Sequence, residues 1–223
     1  MKIELTPLEA RILGCLLEKE ATTPENYPLS LNALTNACNQ KSNRDPVLNL
    51  GEQEVQRIVD ALARKHLVSD RSGYGGRVTK YKHVFCNTGF GPLQFTDLER
   101  AILCELLLRG PQSAGELRTR CNRMTAVADV EAALHALATH TSGPFIVRQP
   151  RSPGMRDARY AHLLSGEVVV AENLAAAATT ATPAPIAPSN LADRIEHLEA
   201  QVEILRRELA AIREHLADVN SGI

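Results

Sequence analysis

Apolar residues recur at helical spacing near the start of the chain, where Leu8, Ile12, Cys15 and Leu16 share one face. The run opens on Thr6-Pro7-Leu8-Glu9. Threonine can cap a helix, proline suits the first helical position, and glutamate three residues after the cap can bond back to it. A helix is therefore expected from residue 7 to about Lys19. After a proline-containing loop, a second short helix begins near Ser30 with Leu31, Leu34 and Cys38 on one side. The polar stretch Asn39 to Pro46 interrupts the pattern, because the residue before a proline is pushed out of helical geometry. A third helix, Glu52 to about Lys65, buries Val55, Ile58, Val59 and Leu62. The chain then makes a short strand, turns through Gly73, Gly75 and Gly76, and returns as the strand Arg77-Val78-Thr79-Lys80-Tyr81-Lys82-His83.

From Thr96 the same series begins again. Thr96-Asp97-Leu98-Glu99 repeats the capping signal, and Ile102, Leu103, Leu106 and Leu107 fall where Ile12, Leu13, Leu16 and Leu17 fell. Cys121-Asn122 echoes Cys38-Asn39, the run Asp129 to Ala138 echoes the third helix, and Arg159-Tyr160-Ala161-His162 echoes Lys80-Tyr81-Lys82-His83. Four elements recurring in one order make a duplicated unit rather than a solenoid, which needs more copies. In both copies, Tyr81 and His83, and Tyr160 and His162, alternate along a strand, so they read first as one face packed on helices.

The patterning predicts a mainly α fold with small β-hairpins (α+β): two tandem winged-helix domains, residues 1–88 and 89–165. Residues 166–188, rich in Ala, Thr and Pro, read as a flexible linker. In residues 189–219, Leu191, Ile195, Leu198, Val202, Leu205, Leu209, Ile212 and Leu216 are spaced alternately four and three apart, which predicts a coiled-coil helix. With Ile195, Val202, Leu209 and Leu216 at position a, the others fall at d, a pattern that favours a parallel homodimer.

Composition narrows the function classes. Aromatic residues are only 4% of the chain and tryptophan is absent, so the core must be aliphatic. No apolar run spans a membrane and no signal peptide precedes the first helix, so a cytoplasmic protein is expected. The five cysteines contain no Cys-x-x-Cys pair and read as reduced structural thiols. His83 and Cys86 fall short of the four ligands of a structural zinc site, so neither metal nor cofactor is expected. The glycines at 73, 75 and 76 sit at a hairpin tip rather than before a helix, so they do not form a phosphate loop, and no nucleophile–base set stands out. An enzyme is not expected.

Charge sharpens the picture where the total of −1 hides it. Residues 1–88 carry 12 basic and 10 acidic side chains, residues 89–165 carry nine and seven, and residues 166–223 carry four and nine. The stretch from Arg64 to His83 holds six Lys or Arg and the single acid Asp70. A basic hairpin behind a helix suits DNA, with Lys65, Arg71, Arg77, Lys80 and Lys82 as candidate phosphate contacts. Gln53, Gln56 and Arg57 on the third helix are candidate base readers, although Glu52, Glu54 and Asp60 oppose phosphate there. The alternative is a protein-interaction module without direct DNA contact. Its candidate surface is the polar loop, with Asn39, Gln40, Lys41, Asn43 and Arg44.

The segments Leu5-Thr6-Pro7-Leu8-Glu9-Ala10-Arg11, Ala37-Cys38-Asn39-Gln40-Lys41-Ser42-Asn43-Arg44-Asp45-Pro46-Val47, Arg77-Val78-Thr79-Lys80-Tyr81 and Gly115-Glu116-Leu117-Arg118 carry a resemblance. Through them the chain resembles the YceH-like family of uncharacterised bacterial proteins over residues 1 to about 168. The resemblance implies the tandem winged-helix fold and a bacterial cytosol, and it implies no activity.

Overall fold

The computed structural model describes residues 3–71, 78–89, 91–151 and 157–166. In chain order the first repeat contains α1 (Pro7–Thr22), a single 3-10 turn (Pro24–Asn26), β1 (Leu29–Ser30), α2 (Leu31–Cys38), α3 (Glu52–Arg64), β2 (Val68–Arg71) and β3 (Lys80–His83). The second contains α4 (Asp97–Arg109), β4 (Gln112–Ser113), α5 (Ala114–Cys121), α6 (Val130–Ala138), β5 (Ile146–Arg148) and β6 (Arg159–His162). The protein is thus an α+β molecule in which one order of elements occurs twice.

Local chemistry starts most of these helices. At α1 the Glu9 backbone N–H donates to the Thr6 hydroxyl at 3.3 Å and the Thr6 N–H donates to the Glu9 carboxylate at 2.7 Å. Thr96 and Glu99 repeat the arrangement at α4, as do Ser113 and Glu116 at α5. Such caps satisfy N–H groups that have no partner inside the helix. Ser30 caps α2 with its hydroxyl alone, because Ala33 stands at the third position.

The two small sheets are built alike. Their strand orders are β1-β3-β2 and β4-β6-β5, all pairs antiparallel. Leu29 lies opposite Tyr81 in the first, and Gln112 opposite Tyr160 in the second. The two-residue strands β1 and β4 carry no periodicity of their own, which is why the patterning does not announce them.

Packing departs from the one-sided stripes the sequence suggests. From Glu9 to Glu18 in α1, and from Ala101 to Leu108 in α4, every residue is buried, polar ones included. A helix buried all round is a central helix. These two pack on each other, and Gly14 makes the approach possible: a Cβ there would lie 2.9 Å from Leu108 Cδ2 and 3.1 Å from Leu107 Cβ. Cys104 Sγ sits 3.3 Å from the Gly14 carbonyl oxygen at the same crossing.

As a result the two repeats share one hydrophobic core. The expected boundary near residue 88 falls inside a single compact unit, residues 1–170. Phe95, just beyond that boundary, stacks against Phe85 of the first repeat and edge-on to Phe145 of the second. The expected linker and all eight heptad positions, Leu191 to Leu216, lie outside the described residues, apart from Gly166 at the linker's start.

Candidate nucleic-acid interface

The surface in question is formed by α2, α3 and strand β3 of the first repeat. Strand pleating puts Tyr81 and His83 inward, so Lys80 and Lys82 fall on the other face. Lys80 is exposed and lies in register with Ser30 and Arg71; Lys82 is half-buried opposite Ser69. Neither ammonium forms an ion pair within 4.0 Å among the described residues, though Lys82 adds to the charges that hold the Glu20 carboxyl below its ordinary value.

The other candidate cations have different fates. Lys65 donates to Glu9 Oε2 at 2.7 Å and to the Glu4 carbonyl oxygen at 2.8 Å, so it ties the end of α3 to the start of α1. Burial would raise the Glu9 carboxyl, but the Lys65 ammonium and the capping N–H outweigh it and hold the group below its ordinary value. The side chain of Arg71, and Arg77 altogether, lie outside the described residues.

On α3, Gln53 and Arg57 are exposed, and Arg57 Nε donates to the Gln53 carbonyl oxygen at 3.4 Å. Gln56 is engaged within the protein, accepting from the Tyr81 hydroxyl at 2.8 Å and donating to Asp60 at 2.7 Å. Two residues of α2 extend the polar surface. Asn36 donates to Asn32 at 3.1 Å, and Asn32 donates to Glu52 at 2.8 Å. The polar side of α2 in the sequence was the available signal for them.

The polar loop after α2 requires a correction. As an interaction surface its side chains would face solvent, yet Arg44 is only 4% exposed. Its guanidinium donates to Glu18 at 3.0 Å, to the Ala37 carbonyl oxygen at 3.0 Å and to Gln40 at 2.9 Å. Asn43 donates to both Glu18 and Glu105, and Arg123 bridges the same two carboxylates at 2.7 Å each. Asn39 pairs with the backbone of Leu50 in both directions at 2.8 Å. Only Lys41 of the five candidates projects free of these bonds. The loop joins α1 to α4, through Asn43 on Glu18 and Glu105 and the Asp45 N–H donating to the Leu108 carbonyl oxygen, and so is an internal clasp between repeats. Burial pushes the Glu18 carboxyl up, but Arg44 and Arg123 together hold it below the ordinary range.

A second cross-repeat cluster surrounds His83, which is 5% exposed. Its Nε2 lies 2.8 Å from Glu20, which also pairs with Arg100 of α4 at 2.9 Å. The His83 backbone N–H donates to the Tyr27 hydroxyl at 2.8 Å. All five cysteines are free and buried, and among the described residues no group of three His, Cys, Asp or Glu converges as metal ligands.

On the corresponding surface of the second repeat most cations near α5 are neutralised, while Arg148 on β5 is exposed without a carboxylate partner among the described residues. Arg159, the counterpart of Lys80, donates to the Pro111 carbonyl oxygen at 3.1 Å and lies 4.0 Å from Glu116. Arg120 pairs with Glu116 at 3.3 Å, and Arg118 of α5 pairs with Glu131 of α6 at 2.9 Å. Glu116 is the third residue of a capping box; the first repeat has Ala33 there.

Fold and surface together define an α+β protein with a duplicated helix–strand–helix–helix–hairpin unit whose first copy presents Lys80, Arg57 and Arg64 without carboxylate partners among the described residues. The chain matches the family model "Protein of unknown function, DUF480" over residues 5–155. It is 52% identical to the UPF0502 protein of Vibrio vulnificus (strain CMCP6), covering 96% of this chain and 97% of the relative. It is 53% identical to that of Aeromonas hydrophila subsp. hydrophila, covering 98% and 99%, and 50% identical to that of Enterobacter sp. (strain 638), covering 98% and 100%. The chain belongs to this family, in agreement with its YceH-like resemblance. No helix among the described residues is long and apolar enough to cross a membrane.

Proposed function

We propose that each repeat is a winged helix and that the protein is a non-catalytic, regulator-like DNA-binding protein of the bacterial cytoplasm. The first repeat meets duplex DNA, with α3 toward the major groove and Lys80 and Lys82 on phosphates. Two chains pair through the heptad positions Leu191 to Leu216, which places two first repeats on one duplex. The observation that carries this reading is the difference between the copies. Arg118, Arg120 and Arg159 of the second repeat, the last at the position equivalent to Lys80, are paired with Glu131 and Glu116, whereas Lys80, Arg57 and Arg64 of the first have no carboxylate partner among the described residues. A surface that neutralises phosphates and releases their condensed counterions needs such unpaired cations.

The test is an anisotropy titration of the full chain against a labelled mixed-sequence duplex across a range of salt. Each of Lys80→Ala and Lys82→Ala lowers the log–log salt slope by about one, while Arg118→Ala leaves it unchanged. Absence of salt-dependent binding refutes the proposal. The carboxylates of Glu52, Glu54 and Asp60 on α3 favour a second reading, a protein-interaction module with no direct DNA contact. Nuclease-resistant capture of a protein partner, with no binding to any duplex, supports that alternative.

A further inference from the structure

A cavity of about 760 Å³ opens at the seam between the repeats, on positions that are structurally equivalent in the two copies. Leu67 follows α3 and its N–H donates to Leu62; Phe145 follows α6 and its N–H donates to Leu137. Val84 donates back to Leu67 as Leu163 donates back to Phe145. Each pair therefore contributes one wall from each copy, and Phe85, Leu93 and Leu164 complete an apolar lining. No charged side chain occurs among the described lining residues. The volume is in the range of pockets that enclose small molecules, about 300–1,000 Å³.

One residue at the rim is unusual. His66 occupies the left-handed position just past the end of α3, at φ 56°, where its N–H donates to Ala63 and the next N–H donates to Leu62. That position closes a helix most cheaply with glycine, and any side chain there strains the backbone. A histidine kept at a strained position, exposed and lining a cavity, points to a use for its ring. Ser142 brings a hydroxyl to the same lining, so both polar side chains can donate hydrogen bonds.

We propose that this cavity binds a small molecule with an apolar body and a single anionic, hydrogen-bond-accepting head. The body lies against Leu67, Phe85, Phe145 and Leu164, and the head meets His66 at the rim. Because both repeats form the walls, an occupant would bridge them. This site does not depend on DNA binding by the first repeat.

Anilinonaphthalene sulfonate has this chemistry and reports burial by fluorescence. The full, folded chain is expected to bind it saturably at one equivalent, with decanoate competing. His66→Gly separates strain from use: its unfolding midpoint rises by roughly 2–4 °C while its affinity for the probe falls at least fivefold. Val84→Trp and Leu163→Trp fill the cavity from opposite copies, and each variant that keeps its circular dichroism spectrum loses binding. The proposal is overturned if the full chain shows no saturable binding, as when its own residues fill the cavity. Unchanged affinity in His66→Gly, or in a folded tryptophan variant, overturns it equally.

Discussion

Replacing Gly14 by alanine sets two energies of opposite sign against each other at the crossing of α1 and α4. In a helix interior the exchange of glycine for alanine stabilises by about 1 kcal/mol, because the unfolded chain loses backbone freedom. At this position the new methyl meets Leu108 Cδ2 at 2.9 Å, Leu108 Cγ at 3.0 Å and Leu107 Cβ at 3.1 Å. Carbon atoms in contact sit at about 3.5–4.0 Å, so one of these groups must give way. Leu108 is fully buried and Leu107 is 6% exposed, so neither side chain has room to swing. Leu107 Cβ moreover moves only with its backbone. The helices must part, which also stretches the 3.3 Å contact from Cys104 to the Gly14 carbonyl. Overpacking of this kind costs about 1–3 kcal/mol. The expected net result is a loss of about 1 kcal/mol and a melting temperature lower by about 2–4 °C.

Gly115→Ala is the internal control. A Cβ at Gly115, in the first turn of α5, meets only the Ser113 hydroxyl at 4.0 Å, so only the favourable effect of about 1 kcal/mol or less remains. Urea denaturation followed by circular dichroism measures both. If Gly14→Ala stabilises as much as Gly115→Ala, the two central helices are further apart than described, and the shared core is wrong.

Three further outcomes are expected, the first two from the structure and the third from the heptad spacing. Arg44→Met leaves Glu18 buried with one guanidinium instead of two and is expected to cost about 3 kcal/mol in urea denaturation, whereas Arg44→Met with Glu18→Met costs less than the single change. Burial pushes the His162 imidazole down from 6.5 to about 4, so the unfolded chain takes up the proton first. Its contribution, at most about 3 kcal/mol, is present above pH 6.5 and is lost as pH falls toward 4; thermal melts of His162→Phe should lack this part of the pH dependence. Finally, Leu198→Lys with Leu205→Lys should convert a dimer to a monomer in sedimentation equilibrium, and a wild-type monomer refutes the heptad reading.

Much of the fold was legible in the chain because its signals are short-range. The capping boxes at Thr6 and Thr96 join residues three apart, and the third helix of each copy follows from apolar spacing within two or three turns. The duplication was legible too, since two copies of one pattern need no knowledge of packing. The candidate site was less so. Lys65 reads like Lys80 in a basic stretch, yet it is held by Glu9, 56 residues away in sequence. Gln56 reads as a base reader, yet Tyr81 and Asp60 occupy it.

The sequence by itself therefore determined the local elements, their order, their repetition and the concentration of cations in one hairpin, because each rests on neighbours a few residues apart. The tertiary structure decided which of those cations remain unpaired, that Arg44 is an internal clasp, that α1 and α4 are buried all round, and that the copies share one core. Those outcomes depend on groups brought together from 26 to 90 residues apart, as Arg44 meets Glu18 and Cys104 meets Gly14. A buried charge or a missing methyl has its energy set by what packs against it, and only the folded chain supplies that neighbour.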